Sequence, residues 1–147
     1  MKTPARIITA LLIALLATNC CPCRSYQKKT RRPLVGTTWQ LVQLNGQRMQ
    51  PEKGRFTVRF SAEEGRVSGI GACNQLSGNY KTDEKRTLEF GPMISTRRAC
   101  PKMAQEAAFL RALATTTHYD MDGPMLLLLG DGELKAILQA VSTPDEK

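Results

Sequence analysis

The stretch that decides the fold class is PKMAQEAAFLRALATTTHYDMDGPMLLLLGDGELKAIL, residues 101–138. Its first part predicts a helix from about Pro101 to about Thr115, because proline suits a first helical position. Apolar residues recur there at helical spacing and form one stripe: Met103, Ala107, Leu110 and Leu113 or Ala114. Its second part predicts strands at 125–129 and 134–138, and the first of these (MLLLL) is uniformly apolar, which indicates burial on both faces.

Upstream of this helix the sequence predicts strands and turns. Residues 38–44 (TWQLVQL) alternate in polarity and precede Asn45-Gly46, a pair that accepts the positive φ of a hairpin turn. Further strands are predicted at 55–60, 66–71, 78–81 and 88–90. Strands, one helix and then more strands are typical of an α+β domain with a mostly antiparallel sheet.

The net charge of +8 is concentrated at one end of the chain. Seven of the 21 basic residues lie within residues 1–32, which contain none of the 13 acidic residues. The rest of the chain is therefore close to neutral. It also has no basic stripe interleaved with aromatic residues, so we expect no nucleic-acid partner.

Residues 1–19 have the pattern of an export signal with a lipobox. Lys2 and Arg6 precede an uncharged apolar run at 7–17, which is shorter than the roughly 20 residues of a spanning helix. A short membrane anchor or a buried helix is the alternative. A cysteine directly after such a run resembles the acylated residue of a lipoprotein, so Cys20 is the predicted lipidation site, with Cys21 as the alternative.

The predicted order of segments is the signal (1–19), a basic tether (20–33), one domain (34–140) and a polar tail (141–147). A basic tether beside a lipid anchor would rest on anionic headgroups, which attract each nearby cation with about 1 kcal/mol. A solvated linker without a specific role is the alternative. The predicted location is the bacterial cell envelope, in the periplasm or at the cell surface.

The sequence offers no set of residues for catalysis or metal binding. The single histidine, His118, begins a predicted strand and has no nucleophile in a recognisable motif, so it is interpreted as structural. Glu63 and Glu64 lie in a predicted turn and are interpreted as solvated. The cysteines at 20–23 have no matching pair downstream at zinc-site spacing. We therefore expect no enzyme activity, no cofactor and no metal.

Cys73 and Cys100 are the only cysteines within the predicted domain. An exported chain meets an oxidising compartment, in which these cysteines could form a disulfide. Two separate buried thiols are the alternative, because the sequence does not show whether their Cα atoms come close enough.

Three segments together resemble the META domain of the HslJ-like lipoproteins. They are GTTWQL (36–41), VSGIGACNQLSGNY (67–80) and LEFGPMISTRRAC (88–100). They match in order that family's GTxWxL start, its G-G-C-N and SGxY centre, and the T-x-x-A-C segment before its helix. The resemblance spans about residues 34–139. The chain departs from the pattern at Ala72, where the family usually has glycine, and at Arg98, where methionine is common.

The resemblance implies a curved, mainly antiparallel sheet, rolled like a barrel and wrapped around one principal helix. It implies a link to envelope or heat stress, and no established reaction. By position, Cys73 and Cys100 are the family's cysteine pair. The other motif residues have structural roles: Trp39 and Tyr80 pack the sheet, Asn74 ties its own loop, and Gly78 belongs to the same motif.

Two functions from different classes fit these features. The first is a structural or protein-interaction module, which the membrane anchor presents to a partner in the envelope. The second is a carrier or sensor of an apolar, lipid-like ligand, because a curved sheet over a helix can leave an apolar cleft. The predicted lining is Phe56, Phe60, Phe90, Met93, Phe109 and Leu126. The alternative is that these side chains simply fill the core.

Overall fold

The computed structural model describes residues 22–141. The predicted export signal and both candidate acylation sites, Cys20 and Cys21, lie outside the described residues, as does the predicted tail beyond Val141. None of the helices within residues 22–141 has the length and apolar character that crossing a membrane requires.

The described residues form two α-helices, a short 3-10 helix at Glu63–Gly65 and ten strands. The α-helices are α1 (Pro22–Thr30) and α2 (Met103–Ala114). The strands are β1 (Thr38–Leu44), β2 (Gln47–Arg48), β3 (Thr57–Phe60), β4 (Arg66–Ile70), β5 (Gln75–Thr82), β6 (Leu88–Phe90), β7 (Ile94–Ser95), β8 (His118–Asp122), β9 (Met125–Gly130) and β10 (Glu133–Val141).

The strands form one sheet in the order β6-β5-β4-β3-β1-β10-β9-β8. Neighbouring strands pair antiparallel, β2 forms a hairpin with β1, and β7 adds to β5. The two ends of the sheet approach each other at a bridge between Thr87 and His118. The sheet is therefore strongly curved but stays open. The prediction of a curved, mainly antiparallel α+β fold with one principal helix is confirmed, and the rolled sheet stops short of a closed barrel.

Helix α2 packs against the sheet with a different face from the one predicted. Glu106, Phe109, Ala112 and Leu113 are its buried residues, whereas Met103 at its start is 42% exposed. The ring of Phe109 packs edge-on against Phe56, the residue before β3, with ring centroids 6.0 Å apart. The helix is thus rotated so that phenylalanine, the largest apolar side chain of the helix, enters the core.

Strand β9 is buried on one face only, so the prediction of burial on both faces is wrong. Leu126 and Leu128 are fully buried, while Met125, Leu127 and Leu129 are only partly buried. The reason is that α2 covers a single face of the curved sheet. The alternate residues of β9 point to the other face, as strand geometry requires.

Within the segment interpreted as a polar tether (20–33), Pro22–Thr30 is helical. The sequence of α1 lacks apolar periodicity, because this helix does not pack against the domain through an apolar face. Instead, the side chain of Gln27 contacts the turn between β8 and β9, where its Oε1 accepts a hydrogen bond from the backbone N–H of Gly123 at 2.7 Å. A contact between residues 96 positions apart leaves no periodic signal in the sequence.

Candidate functional site

The cysteines of the domain tie the loop between β4 and β5 to the start of α2. Cys73 and Cys100 form a disulfide with their Cα atoms 6.4 Å apart. Cys73 lies between β4 and β5, and Cys100 precedes α2. The disulfide therefore joins the sheet to the helix that covers it, at the centre of the motif identified in the sequence.

Asn74 is 1% exposed and connects the same elements through its side-chain amide. Its Oδ1 accepts hydrogen bonds from the backbone N–H of Arg98 at 2.8 Å and from the hydroxyl of Thr96 at 2.9 Å. Its Nδ2 donates to Oε1 of Glu106 at 2.6 Å. One buried amide thus holds the β4–β5 loop, the segment before α2 and α2 itself in a fixed arrangement.

Glu106 of α2 is 2% exposed and is the centre of this network. Its Oε2 accepts hydrogen bonds from the backbone N–H groups of Cys73 at 3.2 Å and Asn74 at 3.3 Å. Gly71 leaves room for the carboxylate, since a Cβ there would lie 2.5 Å from Oε2 of Glu106. The loop and the helix are therefore shaped around one buried carboxylate.

Burial would raise the pKa of Glu106, but hydrogen bonds to the carboxylate have the larger effect. They come from the side chain of Asn74 and from the backbone N–H groups of Cys73, Asn74 and Ala72, and together they hold the pKa of Glu106 below its ordinary value. The carboxylate is therefore ionised at neutral pH, and its charge is balanced by oriented dipoles rather than by a cation.

The sequence analysis missed Glu106, although the sequence carries a signal for it. Glu106 lies three residues before Phe109 and seven before Leu113, which places all three on one helical stripe. An acidic residue on such a stripe is rarely buried without a partner. The apolar residues alone indicated a different stripe and left this residue out.

The polar groups of this network bind one another between the loop and the helix. Within residues 22–141, every buried side-chain nitrogen and oxygen has a hydrogen-bond partner. No group of three or more His, Cys, Asp or Glu side chains in that range is arranged to hold a metal ion. His118 is exposed on β8, where its Nδ1 lies 3.0 Å from the hydroxyl of Thr117.

The aromatic motif residues lie in the core. Trp39 is fully buried, and its Nε1 donates a hydrogen bond to the backbone oxygen of Leu34 at 3.0 Å. Tyr80 packs edge-on against Phe60 at 4.9 Å between ring centroids, and its hydroxyl donates to the backbone oxygen of Ser61 at 3.0 Å. The indole N–H of Trp39 and the hydroxyl of Tyr80 thus each donate to a backbone oxygen, while the two rings pack in the core.

Gly78 of β5 lets the segment between β6 and β7 approach β5 closely. A Cβ at this position would lie 2.6 Å from Sδ of Met93 and 3.0 Å from the backbone oxygen of Pro92. The absence of a side chain allows residues 91–93 to pass close to β5 before β7 pairs with it. This brings Ile94 of β7 beside the outer face of β4 and β5.

An open groove of about 450 Å³ lies on that outer face. Its apolar walls are Ile70 of β4, which is 39% exposed, and Ile94 of β7, which is 70% exposed. Small residues form the floor between them: Ser68, Gly69 and Ser77. Exposed apolar side chains gathered on one face often mark a binding surface, whereas single ones need no explanation.

Solved structures of other proteins resemble this fold. A protein from Burkholderia xenovorans, solved by NMR, is 29% identical to this chain, with a TM-score of 0.58 over 75% of this chain and 85% of that one. A DUF4847 family protein from Bacteroides vulgatus, solved by crystallography, is 22% identical, with a TM-score of 0.59 over 76% of this chain and 96% of that one. The latter similarity shows the fold alone. No curated protein matches the chain.

The META domain family matches residues 32–142, which include the loop at Asn74, both bonded cysteines and the helix that carries Glu106. Because this match covers most of the sequence, the chain belongs to the META domain family.

Proposed function

We propose that this protein is a non-enzymatic envelope lipoprotein whose META domain is a protein-interaction module linked to envelope or heat stress. The pattern of residues 1–19 and the cysteine at position 20 support the export and the anchor. The network around Glu106 supports a structural role for the motif, because its polar groups are used in holding the loop to the helix.

The groove between Ile70 and Ile94 is the observation that carries the interaction role. Its two exposed isoleucines stand on either side of a floor of small residues, so an apolar side chain of a partner could enter between them. Burying two such side chains at an interface stabilises a complex by about 25 cal/mol for each Å² of apolar area removed from water.

The charges beside the groove indicate the chemistry of the partner. Arg97 and Arg98 are exposed and directly follow Thr96, which lines the groove. Neither arginine forms a salt bridge with an acidic residue within residues 22–141. We therefore propose a partner protein that presents an apolar side chain flanked by acidic residues, since opposite charges at the rim favour encounter and fix the register.

Photo-cross-linking in cells tests this surface. A photoreactive residue at Ile94 of the full chain is expected to give one discrete adduct with an envelope protein. The additional substitution Ile70→Asp should reduce the yield of that adduct about tenfold, because it places a charge opposite the apolar contact. The yields are compared on immunoblots before and after a heat shift.

A photoreactive residue at Leu134 is the matched control, since this residue is also an exposed apolar strand residue (36% exposed) and lies outside the groove. Equal adducts from positions 94 and 134 would speak against the groove as the binding surface. An adduct at position 94 that Ile70→Asp leaves unchanged would do the same.

The second hypothesis, a carrier of an apolar ligand, gains no support from the packing of its predicted lining. Phe56, Phe60, Phe109 and Leu126 are at most 4% exposed. The ring of Phe60 lies 5.9 Å from that of Phe90, and Phe56 contacts Phe109. These side chains fill space against one another, as in a close-packed core.

A further inference from the structure

A cleft of about 1230 Å³ lies between α1 and the edge of the domain where the strands β1, β3 and β10 meet. Its walls come from α1, the segment that follows α1, these strands and Pro124 of the β8–β9 turn. Gly36, Thr37 and Thr38 of the first motif segment line it, but no residue of the network around Glu106 and no residue of the groove at Ile94 does. It is therefore separate from both the network around Glu106 and the groove at Ile94.

The wall formed by α1 is held in place by specific contacts. Gln27 clamps the β8–β9 turn: its Nε2 donates to Oδ1 of Asp122, and its Oε1 accepts from the N–H of Gly123. Gly123 has a φ of +55°, and a Cβ there would lie 2.9 Å from Oγ1 of Thr30. Only glycine adopts this conformation readily and allows the helix to come so close.

The charged residues that line the cleft are all basic. They are Lys29 of α1, Arg32 of the following segment and Arg59 of β3. None of the three forms a salt bridge within residues 22–141. Because separate parts of the chain bring like charges together here, and no acidic residue among the described residues lines the cleft, the cleft carries a local positive potential.

Arginine and lysine together suit a phosphate group, which accepts forked hydrogen bonds from a guanidinium and attracts the point charge of an ammonium. Beside these cations the cleft is lined by apolar groups of Val35, Pro33 and Ala140. A ligand that fits both features combines a phosphate with an aliphatic part.

We propose that this cleft binds the phosphate of an anionic phospholipid headgroup. The proposal goes beyond the interaction role and does not depend on acylation of Cys20, because the affinity arises from the three cations and the docked helix. Bound in this way, a lipid would fix the orientation of the domain on a membrane surface, which a flexible anchor alone would leave free.

Calorimetric titration of the full chain with soluble short-chain lipids tests the proposal. The probes are dihexanoylphosphatidylglycerol, dihexanoylphosphatidylcholine and inorganic phosphate. We expect the anionic lipid to bind more tightly than the zwitterionic one, and Arg59→Glu to weaken its binding about tenfold. Arg48→Glu is the matched control. Arg48 is exposed on β2, which pairs with the far end of β1 from the cleft, and should change the affinity less than about twofold.

A third variant separates the shape of the cleft from its charge. Gln27→Ala removes the clamp on α1 and leaves all three cations in place, so it should also weaken binding while the fluorescence of buried Trp39 stays unchanged. The proposal would be overturned if Arg59→Glu and Arg48→Glu lowered the affinity for the anionic lipid equally. It would also be overturned if Gln27→Ala bound this lipid as tightly as the parent does. If inorganic phosphate bound as tightly as the anionic lipid, the cleft would be a site for free phosphate, and the lipid assignment would be overturned.

Discussion

Glu106→Ala is expected to lower the free energy of unfolding of the full chain by about 3–5 kcal/mol, because each buried donor left without an acceptor costs about 1–3 kcal/mol. The donors are the amide of Asn74 and the backbone N–H groups of Cys73 and Asn74, all of which now bind the carboxylate. Urea unfolding measures the change, with the fluorescence of Trp39, the single tryptophan, as the signal.

Glu89→Ala is the control for this substitution. Glu89 is an exposed glutamate in the middle of β6 and forms no salt bridge within the described residues. Its replacement should change the free energy of unfolding by less than about 0.5 kcal/mol. If the two variants were equally stable, the buried carboxylate would not organise the loop.

The contribution of Glu106 should also depend on pH. Folding lowers the pKa of this carboxyl, so its ionised form stabilises the native state fully above the ordinary pKa of glutamate. This stability is lost as the pH falls through that ordinary value, about 4.3, towards the lowered value of the native state. The difference in unfolding free energy between the parent and Glu106→Gln is therefore expected to be largest at neutral pH and to shrink below about pH 4. If the difference in unfolding free energy between the parent and Glu106→Gln did not change with pH, the lowered pKa of Glu106 would be contradicted.

The double substitution of Cys73 and Cys100 by serine is expected to lower the free energy of unfolding by about 3–4 kcal/mol. The disulfide closes a loop between residues 27 positions apart, and the cost is the chain entropy that the unfolded state regains, according to the loop-closure model. Urea unfolding of the oxidised chain and of the variant measures the difference. Reduction of the parent with a thiol should reproduce it.

The control for the disulfide is the replacement of Cys20, Cys21 and Cys23 by serine, which leaves the cross-link intact. This variant should unfold at the same urea concentration as the parent. A double serine variant as stable as the oxidised parent would mean that the bond does not constrain the unfolded chain.

The existence of α2 and of most strands was predictable because it depends on local patterns. Helix α2 runs from Met103 to Ala114, close to the predicted span from Pro101 to Thr115. Both residues of the hairpin turn at Asn45-Gly46 have the positive φ that their residue types indicated. Local sequence fixes these features, because neighbouring residues determine turns and helix ends.

The packing of these elements was not predictable from the same patterns. The face of α2 depends on Glu106, whose burial requires Asn74, a partner 32 positions away that only the fold brings near. Helix α1 depends on Gln27 and a turn 96 positions away. Apolar periodicity does not record such polar contacts, so the network and the basic cleft emerge only from the structure.

Native mass spectrometry of the protein extracted from its own membranes tests the proposed function as a whole. We predict a mass that corresponds to residues 20–147 plus acyl chains on Cys20. Any additional species that leaves on gentle activation should be a phospholipid and should be lost from Arg59→Glu. An unacylated mass would contradict the lipoprotein assignment. A tightly held apolar molecule that persists in Arg59→Glu would contradict the interaction module and favour the carrier instead.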